Sequence, residues 1–312
     1  MMTVLTEPGA RQRTGVRPPA RGRRPRGDLR IAAVFLLPAA VGLVAFYLWP
    51  ALRGLYFSFT EYAVLTPPEW VGTANYERMA ADPLFWNALW VTALYVVMNI
   101  GVQTVLAILI AVLLHRLTRS TIVRGMALLP YFVANVIVAL VWYFMLDYQI
   151  GIVNVVLDGL GLDRMAFFGD SALALPTIAL INVWRHMGYT ALLIFAGLQT
   201  INPSLYEAAR VDGASELRQF FSITLPQLRP VLVMVLVVTV TGSFQVFDTV
   251  AVTTGGGPVN ATRVLNMYIY DLAFGQLDFG YASALAIALF VLLFAIAFVQ
   301  LCLMRAGEHD EN

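Results

Sequence analysis

The sequence predicts an all-α integral membrane protein with six transmembrane helices and both termini in the cytoplasm. Three observations predict it. The 312 residues are 59% hydrophobic and only 12% charged, far from the balance of a soluble protein. Six apolar stretches, near 31–52, 86–114, 123–146, 172–198, 230–252 and 282–304, each reach the ~20 residues that a helix needs to cross a hydrocarbon core. The basic residues are also placed asymmetrically. Eight arginines in residues 1–30, with Arg116, Arg119, Arg124, Arg210, Arg218, Arg229 and Arg305, fall on one side of the alternating spans. Only Arg53, Arg78, Arg164 and Arg263 fall on the other, and the positive-inside rule makes the richer side cytoplasmic.

Residues 1–30 are rich in Arg, Pro and Gly and are expected to be a disordered cytoplasmic tail. Arg23 and Arg24 ahead of an apolar run suggest a twin-arginine signal only superficially, because no small-residue cleavage site follows and five more spans do. Pro38, Gly42, Gly101, Pro130, Pro176 and Gly188 lie inside spans, which membrane helices tolerate where neighbours satisfy the freed backbone groups. In the second span, Asn99, Gln103 and Thr104 read as interhelical hydrogen-bond partners, worth ~0.6–2 kcal/mol each. The third span carries Tyr131 and Asn135 four residues apart on one face. The fourth carries Arg185 and Tyr189 in the same relation, with Asn182 and His186 alongside. In the fifth, Thr239, Ser243 and Val246 share a face beside Gln245 and Asp248. Residues 31–304 thus form one membrane domain with a cytoplasmic loop at 199–229, and residues 305–312 form a short cytoplasmic tail. The Gly255, Gly256, Gly257, Pro258 run after the fifth span reads as a tight turn.

Absences narrow the function classes. All twenty basic residues are arginine, so no Walker A lysine and no Schiff-base lysine exists. One cysteine, Cys302, cannot form an internal disulfide, and His115, His186 and His309 are too scattered to suggest a metal cluster. No Ser/His/Asp or His/Glu set converges on one membrane face, so no catalytic residue, metal or resident cofactor is expected, nor any nucleic-acid partner.

The loop at 199–229 carries the most specific pattern. Asn202 before Pro203 is a good helix start, Ser204 with Glu207 offers a second, capping-box registration, and Gly213 can end the helix in the left-handed conformation. Glu207, Ala208 and Ala209 are followed at fixed spacing by Gly213 and then by Ile223, Leu225 and Pro226, with Asp212 beside the glycine. This pattern resembles the EAA loop of permease subunits of bacterial ABC importers. The resemblance extends along the chain to Phe35, Leu36, Leu37 and Pro38, to Ser58, Phe59 and Thr60, and to Gly72, Thr73, Ala74, Asn75 and Tyr76. It continues through Phe247 and Asp248, the triple glycine, and Gly280, Tyr281, Ala282, Ser283 and Ala284. These look like the first permease subunit of carbohydrate-uptake importers, with Thr73 and Ala74 where the family more often has Leu and a variable residue.

The resemblance implies a type I importer permease in the bacterial cell membrane, moving a sugar or a glycerol-phosphate-type solute. Its implied partners are a second permease subunit, a dimer of ATP-binding subunits that hold the ATP, and an extracytoplasmic solute-binding protein. Glu207 to Pro226 would then seat in a groove on the ATPase, and Tyr131, Asn135, Arg185, Tyr189, Thr239, Ser243 and Gln245 would line the substrate pathway. Tyr131, Tyr189, Thr239, Gly242, Ser243 and Val246 are similar in position to sugar-contacting residues of the maltose-type permease. A charge placed mid-span costs at least ~2.5 kcal/mol, so Arg185 should face a cavity, a partner charge or water, beside a possible helix break at Gly188. The rival reading is a proton-coupled secondary transporter using Arg185, His186 and Asp248.

Overall fold

The computed structural model describes residues 26–117 and 120–309, and the chain falls into two compact units, 1–52 and 53–312. In the first, α1 (Arg26–Leu43) runs through a π-helical turn at Val44–Leu48 into the start of α2 (Trp49–Phe57), whose residues from Arg53 on belong to the second. Helix therefore begins inside the stretch expected to be disordered, because extending an existing apolar helix by one residue adds a hydrogen bond for each residue fixed. The rest of the expected tail, residues 1–25, lies outside the described residues. The same propagation carries the last helix to His309, into the expected C-terminal tail.

After the end of α2 the second unit continues with a two-stranded antiparallel pair, β1 (Thr60–Glu61) and β2 (Glu69–Trp70), then α3 (Ala74–Ala81). The long α4 (Pro83–Leu117) follows, then α5 (Thr121–Phe132), α6 (Asn135–Met145), α7 (Ile152–Gly159) and α8 (Ala174–Leu198). Next come α9 (Pro203–Val211), α10 (Glu216–Gln219), a π turn at Phe220–Thr224, and α11 (Leu225–Gln227). The chain closes with α12 (Arg229–Phe244), α13 (Asp248–Thr253), α14 (Leu265–Tyr270), a π turn at Asp271–Gly275, and α15 (Phe279–His309). Among the described residues, five helical segments are long and apolar enough to cross a membrane, and the α5–α6 pair, bent by 88°, makes a sixth if it is one broken span. Phe46, Val97, Phe132 and Phe290 stay more than half exposed, a surface suited to hydrocarbon rather than to water.

Helix α4 packs along α8 and α12, α5 crosses α8, α6 packs on α13, and α15 packs on α12 and α14. Two large apolar clusters fill this bundle, with a smaller third of Val138, Leu146 and Ile181. One gathers Phe85, Tyr95, Ile178, Tyr268, Tyr281 and Leu285, and the other Ala107, Ala111, Ala191, Ile194, Leu228 and Val235. The alanines of the second let α4 and α8 approach closely, as small residues do in membrane bundles. Between the clusters, on α4, α8 and α12 alike, lies a polar layer: Asn99, Gln103, Asn182, Thr190 and Ser243 are all buried.

The end of the bundle at α3 and α14 is tied by the motifs that the sequence singled out. Asn75 donates its amide to the carbonyls of Ser58 (3.0 Å) and Thr60 (2.9 Å), and the Ser58 and Tyr76 hydroxyls bond at 2.7 Å. Gly280 leaves no room for a Cβ, which would run into the Thr60 carbonyl. Asp82 caps α4 through the Leu84 N–H (2.8 Å) and accepts the hydroxyls of Tyr268 (2.6 Å) and Tyr281 (2.7 Å). Burial alone would push its carboxyl up, but these two hydroxyls and the amides of Leu84 and Phe85 hold it below the usual carboxylate range.

Candidate functional site

The polar layer opens onto a cavity of ≈ 370 Å³. Two broken helices shape it. Pro130 in the last turn of α5 cannot donate to the preceding turn, and Val133 and Ala134 are extended before α6 restarts at Asn135. The fifth span is broken as well: α12 ends at Phe244, and α13 begins at Asp248 after Phe247 turns the chain at φ −148°, ψ −59°. Helix α8 runs unbroken through Gly188, contrary to the expected break there. Gly188 has a different role, since any Cβ would collide with the Ala127 main-chain carbonyl where α5 crosses α8.

Arg185 supplies what the α5 break leaves open. Its Nε donates to the Val133 carbonyl (3.1 Å), and a terminal nitrogen donates to that of Tyr131 (3.2 Å). A cation at a helix C-terminus is favoured by the helix dipole and satisfies carbonyls that have no partner in the helix. The other terminal nitrogen lies 2.7 Å from His186 Nε2, and His186 Nδ1 lies 2.8 Å from the Asn182 carbonyl. A carbonyl only accepts and a guanidinium only donates, so His186 carries its proton on Nδ1 and is neutral. Asp248 does not pair with Arg185; it accepts the Asn135 amide at 3.1 Å, standing where α6 and α13 both start.

The remaining walls come from rings and amides. Tyr131 and Tyr189 stack at 4.5 Å with planes 10° apart, and the Arg185 guanidinium lies 5.3 Å from the Tyr131 ring centre. Asn99 donates to Ser243 Oγ (2.9 Å) and Gln103 Oε1 (3.2 Å), and Gln103 donates to Thr190 Oγ1 (2.8 Å). All seven residues expected along the pathway, Tyr131, Asn135, Arg185, Tyr189, Thr239, Ser243 and Gln245, line this one cavity. Thr239 spends its hydroxyl on its own helix, at the Val235 carbonyl (2.8 Å). Tyr95, Asn99 and Gln103 also line it, beyond the adhesive role read for the two amides. Their i, i+4, i+8 spacing, one polar stripe on a membrane helix, was the available signal.

At the far end of α8, the 199–229 loop folds as a helix with a fixed stop. Asn202 caps α9 through the Ser204 N–H (3.0 Å), so the Asn202 registration prevails over the Ser204 capping box. Gly213 takes φ +74°, and the Ala214 N–H returns to the Ala209 carbonyl at 2.9 Å, a Schellman closure. Glu207, Ala208, Asp212 and Pro226 are exposed, while Ala209, Ile223 and Leu225 are half-buried. Tyr206 bonds Thr224 (2.9 Å), joining α9 to the turn that leads into α12. Glu207 and Arg210 face a groove of ≈ 660 Å³ that also carries His115 and the Arg116–Glu216 ion pair, and Val211 and Leu217 stand 88% and 73% exposed beside it.

The family described as the binding-protein-dependent transport system inner membrane component matches residues 103–305. The chain belongs to this family. The chain is thus a multi-pass inner-membrane permease, and its family is a transport component rather than an enzyme. Among relatives, the sulfoquinovosyl glycerol transport system permease protein SmoG of Agrobacterium fabrum is 36% identical over 285 residues, covering 90% of this chain and 92% of that one. The trehalose/maltose transport system permease protein MalF of Thermococcus litoralis is 32% identical, covering 88% and 93%. A crystal structure of a bacterial ABC transporter that imports the acidic polysaccharide alginate matches with a TM-score of 0.80 at 25% identity, covering 90% of this permease and 96% of its own chain.

Proposed function

We propose that this permease forms half of the translocation pathway of an ATP-driven, binding-protein-dependent sugar importer. Its partners in this reading are a second permease subunit, two copies of an ATP-binding subunit and an extracytoplasmic solute-binding protein. ATP is held by the partner, and this chain contributes no cofactor. The observation that carries the reading is the shared framework of the cavity and the loop. Helix α8 lines the cavity at its middle and α12 at its C-terminal end, and α9 lies in the chain between the C-terminus of α8 and the N-terminus of α12. A partner that grips α9 and moves as a rigid body shifts both helices together. The exposed apolar side chains Leu205, Val211 and Leu217 and the acidic Glu207 suit a helix-in-groove contact with the ATPase.

Within the cavity, the Tyr131–Tyr189 stack offers a flat apolar face, and Asn135, Ser243 and Gln245 offer hydrogen-bond partners, the combination that a sugar ring with its hydroxyls needs. The experiment is reconstitution of the complete importer in proteoliposomes with Glu207→Lys. The variant is expected to assemble and to lose transport-coupled ATP hydrolysis; undiminished transport would sink the coupling role. Uptake that needs ATP and survives collapse of the proton gradient separates this reading from proton coupling.

A further inference from the structure

We propose that the cavity is built for an uncharged, hydroxyl-bearing solute and against an anionic one; this rests on the transport reading above. The basic side chains lining the cavity are Arg185 and His186. Arg185 would be the natural reader of a phosphate, sulfonate or uronate, yet each of its three nitrogens already gives one hydrogen bond to the protein. These bonds go to the carbonyls of Tyr131 and Val133 and to His186 Nε2. Turning the guanidinium toward a solute would strip the end of α5 of those bonds and of the cation that caps its carbonyls. His186 is neutral for the reason given by its two partners.

The other lining groups point the same way. Asp248 sets a carboxylate into the same wall, and a second anion brought near it is repelled. Asn99 is 4% exposed, and its Oδ1 has no partner; Asn135 Oδ1 is likewise buried and unpaired. Unfilled acceptors are what hydroxyl donors satisfy and what an anionic group, an acceptor itself, leaves unsatisfied. The Tyr131–Tyr189 stack beside them supplies the ring face. The assignment contrasts with the alginate transporter, whose cargo is an acidic polysaccharide.

The test measures the charge preference of the cavity directly, without knowing the solute. Cys302 is replaced by Ser, Gln245 by Cys, and the complete importer is reconstituted. The rates at which cationic trimethylammonioethyl and anionic sulfonatoethyl methanethiosulfonate modify this chain are read by mass spectrometry, with and without ATP, and normalised to free mercaptoethanol. The expected result is a normalised rate for the cation at least equal to that of the anion, up to about tenfold higher. Asp248→Asn should shift the ratio several-fold toward the anion. A tenfold preference for the anion, a ratio unmoved by Asp248→Asn, or no modification in any state would overturn the proposal. Gly242→Cys, at a lining position with open space around its Cβ, replaces Gln245→Cys if that variant does not assemble. The ratio is read independently of uptake, so a complex without ATP-dependent uptake speaks against the transport reading alone.

Discussion

Arg185 donates from Nε to the carbonyl of Val133 at 3.1 Å, so a side chain from an unbroken helix caps the end of a broken one. The charge that looked costly in the middle of a span is held by main-chain carbonyls of the neighbouring span. Bonds to a charged group are worth ~1.5–3 kcal/mol each, so Arg185→Ala should destabilise the permease measurably, and Arg185→Gln, which still donates, should lose less. Thermal unfolding of the detergent-solubilised complex reads the difference; equal losses would show that the capping bonds contribute little.

Gly188 marks the closest approach of α8 to α5, since an added Cβ would overlap the Ala127 carbonyl. Gly188→Ala must push the two helices apart at a cost of ~1–3 kcal/mol. Gly101→Ala, with nothing within 4 Å of its Cβ, serves as the control and should be neutral or slightly stabilising. Uptake and thermal stability of the pair check this; matching behaviour would show that the crossing tolerates expansion.

Asp82 ties α4 to Tyr268 and Tyr281, and its pKa in the folded protein lies below its unfolded value. A depressed carboxylate stabilises the fold fully above the unfolded pKa of about 3.9, and that contribution is lost as pH falls through the lower, folded value. The stability gap between wild type and Asp82→Asn should therefore hold steady from neutral pH to about 5 and narrow below about 4. Denaturation at a series of pH values measures it, and a gap unchanged down to acid unfolding would contradict it.

Tyr189 stacks on Tyr131 at the cavity wall. Aromatic pairs contribute ~0.5–1.5 kcal/mol beyond their buried area. Tyr189→Ala should thus weaken half-saturation of uptake by about threefold to tenfold, while Tyr189→Phe keeps the stack. Unaltered half-saturation and rate in the alanine variant would make the pair a purely structural feature.

Much of this protein is legible in one dimension. Six apolar runs gave the spans to within several residues, because a bilayer sets a minimum length for any apolar helix. Asn202, Pro203 and Gly213 gave both ends of α9, because capping and left-handed closure are local properties of those residue types. The polar residues on α5, α8 and α12 were identifiable one by one, because polarity inside a span is rare.

Their meeting was not legible. The sequence offered Gly188 as a place for a helix break, where the tertiary structure instead uses the missing Cβ for close crossing, and the chain bends at Val133 and Ala134. A glycine reads the same whether it frees the backbone or admits a neighbour, and only the neighbour's position decides between them. The same holds for Arg185, whose charge the sequence exposes and whose carbonyl partners lie more than fifty residues away. Sequence by itself determined the class of protein, its spans and its exposed loop helix, because these follow from apolar length, charge asymmetry and local caps. Only the tertiary structure decided that Arg185 serves the backbone of α5, that Asp248 sits at the start of α6, and that Asn99 on α4 and Asn135 on α6 keep open acceptors. Such pairings are set by which helices touch, and helix contacts are a property of packing rather than of any single stretch of chain.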